Sequence, residues 1–162
     1  MQPSKIPGLI ADLDLALANL QRVASHQSEV VDAINRETDF FLRSAAGVVL
    51  QDFYNTVEKT LQRIATELDG SLPSGEAWHQ QLVQRMTVAI PGRRPAVLDQ
   101  ELANTLVTYF RFRHLFRNIY GFDLDWDRIE PLLVELPTVI EIFRVRLDEF
   151  RRFLLVLHSA ES

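Results

Sequence analysis

From Leu9 onward, apolar residues recur at three- and four-residue intervals, and no run alternates strictly between apolar and polar. That spacing follows the α-helical turn and gives each segment one apolar stripe. Leu13, Leu17, Leu20 and Ala24 mark a first helix, which begins after a frayed 1–8 and runs on toward Ile34. Leu50, Phe53, Val57, Leu61, Ile64 and Leu68 mark a second over 38–68, ended by Asp69-Gly70, since glycine suits the residue just past a helix. After a turn-rich 71–75, Ser74 is placed to cap a short helix from Gly75 to about Ala89. Pro91-Gly92-Arg93-Arg94-Pro95 breaks the chain, and Asp99 is placed to cap a helix ending near Gly121. A last helical region starts at Asp125 or Asp127 and reaches about His158, with Asp127 and Glu130 at capping-box spacing. Pro137 predicts a kink or a split there. The β-branched residues fall within helical periods, so the chain is expected to be all-α: an up-and-down bundle of five or six helices forming a single domain over 1–162.

Composition narrows the function classes. A chain of 162 residues with 47% apolar and 24% charged residues can bury a sizeable core without covalent staples. With no cysteine, disulfides, zinc-thiolate sites and thiol chemistry are excluded. Asp12 and Asp14 interrupt the first apolar run, which is unlike a signal peptide, and no uninterrupted apolar run approaches a membrane span. A cytoplasmic protein is expected. The net charge of −5 and pI of about 5.3 argue against a general nucleic-acid coat. A local basic site is a different matter, because concentration of charge focuses a field. Arginines cluster within 111–117 and again at Arg144, Arg146, Arg151 and Arg152.

The stretch Arg111-Phe112-Arg113-His114-Leu115-Phe116-Arg117-Asn118-Ile119-Tyr120 carries the most chemistry. On a helix, Phe112, Leu115, Phe116 and Ile119 fall in one arc about 100° wide. Arg111, Arg113, His114, Arg117 and Asn118 occupy the other side, with Tyr120 at the border. One face can seat in a core while the other offers cations and hydrogen-bonding groups to a phosphodiester. Guanidinium forks fit phosphate oxygens and stabilise charge developing on phosphorus. His114 and Asn118 are neighbours four residues apart; histidine can move a proton near neutral pH, whereas an amide can only position or polarise. The same residues also suit a solvated basic face paired with acids of a neighbouring helix.

Other candidates read more simply. Trp78-His79 suits an aromatic anchor beside a surface histidine. His26, His79, His114 and His158 are scattered singly, so neither a zinc-binding histidine pair nor another metal site is expected, and no cofactor. Asp123, Asp125 and Asp127 lack the glycine and distal glutamate of a calcium loop. The stripe Phe143, Leu147, Phe150 and Leu154 suits core packing or a dimer seam, with a membrane surface or partner helix as the other readings.

The region Tyr109 to Trp126, with the order Arg-His-Leu-Phe-Arg-Asn-Ile-Tyr-Gly inside it, resembles the HepT-like toxins of the HEPN superfamily. Tyr54-Asn55-Thr56-Val57-Glu58-Lys59 with Arg63-Ile64-Ala65 is similar to that group's second helix. Gly75-Glu76-Ala77-Trp78-His79 and Arg94-Pro95-Ala96-Val97-Leu98 are similar to its middle section. The resemblance implies a HEPN-type helical bundle that dimerises, with a cleft made by two copies of the motif-bearing helix. It implies metal-independent cleavage of RNA, and an MntA-type minimal nucleotidyltransferase as antitoxin, which transfers AMP onto a toxin tyrosine. Arg113 takes the motif's arginine position, His114 its polar position and Tyr120 its tyrosine position. Asn118 stands where the motif has histidine. Arg111 and Arg117 would widen the phosphate contact, and Tyr120 would accept AMP. Three outcomes stay open: His114 takes over proton transfer, Asn118 orients the ribose hydroxyl while water takes the proton, or the chain binds RNA or its antitoxin without cutting. A purely structural helical dimer is the third function class.

Overall fold

The computed structural model describes residues 4–36, 40–118 and 126–161, with the backbone alone at 40 and 113–118. Among them stand five α-helices: α1 (Ile6–Arg36), α2 (Phe40–Ile64), α3 (Trp78–Arg85), α4 (Gln100–Asn118) and α5 (Trp126–Glu161). The architecture is an all-α bundle, as the periodicity predicts. No helix is long and apolar enough to cross a membrane, among the described residues.

α1 lies against both α2 and α5. Its buried line is Leu9, Leu13, Ala16, Leu20 and Val23, while Leu17 and Ala24 flank that line as partly buried residues. α1 also starts earlier than expected. The Ile6 amide donates to Ser4 Oγ at 3.2 Å, and Pro7 sits in the first turn, where its missing N–H costs nothing. The two acids that break the first apolar run tie α1 to its neighbours: Asp12 pairs with Arg63 of α2 and Asp14 with Arg151 of α5, both at 2.6 Å.

In α2, Leu50, Phe53, Val57, Leu61 and Ile64 are all buried. The expected stripe ends there, because the chain widens into a π-helical turn over Ala65–Asp69, closed by the Gly70 amide on the Ala65 carbonyl at 2.9 Å. The wider turn shifts the phase, so Ala65 enters the core and Leu68 is left at its edge. Gly70 ends the turn in the left-handed region at φ 78°.

α3 is shorter than the expected 75–89. Gly75 adopts φ 100°, a turn conformation, and the helix begins three residues later with Ala77 at its cap and no side-chain cap bond. Beyond Arg85 the chain turns back. Ile90 and Arg94 form an isolated bridge, and the amides of Val97 and Leu98 both donate to the Met86 carbonyl. One side chain fixes this excursion to the end of α2. The Arg94 guanidinium, 0% exposed, forks onto Asp69 with Nε–Oδ1 2.6 Å and Nη2–Oδ2 2.9 Å. Its remaining N–H groups reach the carbonyls of Val88 and Pro95 at 2.9 and 3.1 Å.

Of the kink or split expected at Pro137, the split does not occur: α5 is one continuous helix. Its core line, Ile129, Leu133, Leu136, Ile140, Phe143, Leu147, Phe150 and Leu154, runs through both Pro131 and Pro137 without a break. Proline removes the donor to the carbonyl four residues back, here Leu133. That carbonyl accepts from Nε2 of Gln27, a buried glutamine of α1, at 2.8 Å, and the adjacent Leu132 carbonyl accepts from the Tyr109 hydroxyl at 2.8 Å. The Gln27 side chain of α1 thus replaces the donor that the helix itself lacks, and the helix continues.

Arg94→Ala is expected to cost about 3–5 kcal/mol by leaving the buried Asp69 with only the more distant Arg85, 3.9 Å away. Denaturant unfolding of the variant checks this, and a loss under about 1 kcal/mol would show that the pair is solvated in practice.

Candidate nucleic-acid interface

α4 carries the arginine-rich stretch, and its placement starts at its cap. The Leu102 amide donates to Asp99 Oδ1 at 2.7 Å, the capping bond that the sequence predicts. Leu102, Ala103 and Leu106 then bury in the core. At Tyr109 and Phe110 two consecutive aromatics turn to different neighbours. Tyr109 meets Phe53 edge-on at 5.3 Å between centroids and donates its hydroxyl to α5. Phe110 meets Tyr54 edge-on at 4.3 Å. Burial, and after it the charge of Glu135, pushes the Tyr109 phenol well above its ordinary value, so it stays protonated as a donor. Both contacts together leave α4 one rotation about its axis. Arg111 is consequently exposed and Phe112 buried.

The α4 backbone stays helical through Asn118. Helical register therefore places positions 113, 114 and 117 one and two turns beyond Phe110, on its side of the helix. The side chains of Arg113, His114, Arg117 and Asn118, and the whole of Tyr120, lie outside the described residues. Of the apolar arc, Phe112 is the member that is described.

A second set of residues stands beside Phe110, and the sequence reading undervalued it. His79 is not a surface histidine. Its Nδ1 lies 3.0 Å from the Tyr54 hydroxyl and 3.3 Å from Glu58 Oε2, with Glu58 only 14% exposed at its side chain. Its ring stacks on Trp78 at 3.7 Å and 31° and faces Phe110 at 6.3 Å and 66°. About 30% of the His79 side chain is still open to solvent. The usable signal was the pair Tyr54 and Glu58, four residues apart and so on one face of α2. What the sequence does not reveal is that α3, held by the Arg94–Asp69 fork, folds His79 back onto that face.

The second arginine cluster takes a structural role. Arg144 pairs with Glu141 at 2.6 Å, Arg151 with Asp14 at 2.6 Å and Arg152 with Asp148 at 2.9 Å. Arg146 donates to the Val97 carbonyl at 3.1 Å and approaches Glu149 at 3.4 Å. A broad open groove of about 800 Å³ runs between α1 and α2, away from α4, but its charges are mixed: Asp12, Asp52, Arg22, Lys59 and Arg63. Among the described residues, no group of three or more potential ligands could hold a metal ion.

The model of a family described as HepT-like protein matches residues 45–154, which span α2 from its first turns, all of α3 and α4, and most of α5. The chain belongs to the HepT-like family. No curated protein and no solved structure matches it. The family span takes in Tyr54, Glu58, His79 and Arg94 as well as the arginine-rich helix, whereas all of α1 lies before it. In this HepT-like chain, then, the motif-bearing helix is locked by an aromatic step whose two members bond to α5 and α2.

The Tyr109 bond has a pH signature. A phenol whose folded-state pKa is raised above the ordinary 10.0 contributes stability that is complete below that pH and lost as pH rises beyond it. Tyr109→Phe is expected to lose about 0.5–1.5 kcal/mol at neutral pH through the lost hydrogen bond to the Leu132 carbonyl. It should also show a shallower loss of stability above pH 10 than the wild type. Denaturant titrations at a series of alkaline pH values measure both, and parallel profiles would contradict the assignment.

Proposed function

We propose that this HepT-like chain is the toxin half of a toxin–antitoxin pair. It is a metal-independent endoribonuclease that works as a homodimer, with RNA lying in a cleft between two copies of α4. Its neutralising partner is an MntA-type nucleotidyltransferase that transfers AMP to Tyr120. The observation that carries the reading is family membership over a span that includes α4 and the residues after it, with arginine, polar residue and tyrosine at sequence positions 113, 114 and 120. The exposure of Arg111 supports it, since that cation is open to a polyanion.

In this reading Arg113 holds the scissile phosphate and stabilises charge on its oxygens. Arg111 and Arg117 extend the contact along the backbone, and His114 and Asn118 position the attacking 2′-hydroxyl or the leaving group. AMP on Tyr120 brings a negative phosphate and a bulky base into a cationic cleft, which neutralises the arginines and excludes RNA by charge and size. Asn118 in the motif's histidine position favours a second reading: a weak or inactive subunit that binds RNA or the nucleotidyltransferase.

The purified chain without its partner is expected to cut single-stranded RNA. Arg113→Ala should lower the rate about 10²–10³-fold, as when one charge-stabilising donor is lost. Asn118→His should raise it, toward the 10²–10⁴-fold that acid–base catalysis typically supplies. A chain that binds RNA but never cuts it, with Asn118→His equally inert, selects the binding-subunit reading. Incubation with the partner nucleotidyltransferase and ATP should add one AMP mass at Tyr120, read by mass spectrometry. The same experiment on Tyr120→Phe should show none, and an unmodified wild type would overturn the proposed neutralisation.

A further inference from the structure

The ribonuclease reading leaves the proton acceptor open, and the described residues contain a candidate outside the motif. We infer that His79 is the proton-transfer residue of the site, with Glu58 and Tyr54 as its positioning residues. The inference rests on the ribonuclease reading and deepens it.

The geometry gives the imidazole a defined orientation. Two oxygens meet Nδ1, the Tyr54 hydroxyl at 3.0 Å and the Glu58 carboxylate at 3.3 Å. The negative charge of that carboxylate favours a proton on Nδ1; the Tyr54 hydroxyl then accepts, and Nε2 carries the lone pair. The same carboxylate stabilises the imidazolium formed when Nε2 takes a proton, as the acid does in an Asp–His pair of a hydrolase. Trp78 stacked on the ring at 3.7 Å limits its rotation.

Location is the second part of the argument. His79 faces Phe110 at 6.3 Å, and helix positions 113 and 114 lie one turn further along α4, about 5 Å in rise. A phosphodiester bound at those positions would lie on the same side of α4 as the His79 ring, which is 30% open to solvent. In the step, Nε2 of His79 takes the proton of the ribose 2′-hydroxyl and the 2′-oxygen bonds to phosphorus. The bond from phosphorus to the 5′-oxygen breaks, its electron pair stays on that oxygen, and the oxygen takes a proton from water. The products are a 2′,3′-cyclic phosphate and a 5′-hydroxyl end, and the imidazolium returns its proton to solvent. Asn118 then has no proton to move, and its amide is free of contradiction with catalysis.

The test uses the full chain and a single-stranded RNA. His79→Asn keeps an N–H where Nδ1 stood and removes Nε2. Its rate should fall about 10²–10⁴-fold, the usual size of a lost acid–base group, with RNA affinity and circular dichroism unchanged. Added imidazole should restore part of the rate of His79→Ala, a readout that a structural role would not move. Should the histidine variants fail to fold, Glu58→Gln takes their place, with a rate loss of tenfold or more at unchanged affinity expected. Wild-type rates in His79→Asn, or in Glu58→Gln where it decides, or no imidazole rescue of a folded His79→Ala, overturn the inference and leave the ribonuclease reading intact. A wild type that never cuts RNA overturns both, so the wild-type reaction tells the two failures apart.

Discussion

The hydroxyl of Tyr109 on the Leu132 carbonyl is the contact from which the placement of the candidate site follows. It lies beside the Leu133 carbonyl, whose helical donor Pro137 removes and to which α1 supplies Gln27 instead. A long helix thereby keeps an exposed proline within its span, and two adjacent carbonyls at this level, one of them orphaned by the proline, become docking points for two other helices. Once Tyr109 is committed to α5, Phe110 must face α2 and α3, Phe112 must turn inward and Arg111 outward. The basic face of α4 is thus set from behind, by buried polar bonds, and not by its own charges.

α3 is held by an unrelated device. The Arg94–Asp69 fork, buried and surrounded by carbonyl oxygens, ties the 70–95 excursion to the end of α2. Breaking such a pair leaves a buried charge, so it resists loosening even though replacing it whole by apolar residues could be neutral. Its consequence for function is that His79 returns to the Tyr54–Glu58 face of α2. The C-terminal arginines, by contrast, are engaged with Glu141, Glu149, Asp14 and Asp148. In an acidic chain, that pairing leaves Arg111 as a described cation on the exposed side of α4.

What the sequence reveals is what local chemistry decides. Asp99 caps α4, Asp69-Gly70 closes the long second helix, and Leu50 through Ile64 bury as their spacing demands. What it hides depends on residues far apart in the chain. Pro137 obeys the rule for a lone helix only until Gln27, more than a hundred positions away, supplies the missing donor. Leu17 and Leu68 carry the right residue type but sit off the centre of the core, one through the choice between adjacent stripes and the other through the π-helical turn. His79 reads as a surface histidine because its partners lie 21 and 25 positions upstream, on a helix from which a turn and a loop separate it. The family is legible in short segments, and the family match over 45–154 spans those same segments up to Trp126 and continues along α5.

The central claim is that a rotationally fixed α4 presents its phosphate-binding positions and His79 to the same strand of RNA. A crystal structure of the protein with an oligonucleotide lacking 2′-hydroxyls, and so bound without being cut, tests it most directly. The account predicts a backbone phosphate against position 113 between two copies of α4, with the adjoining sugar turned toward the His79 ring. An oligonucleotide bound on another face, or an α4 rotated so that Phe110 leaves Tyr54 and His79, would contradict it.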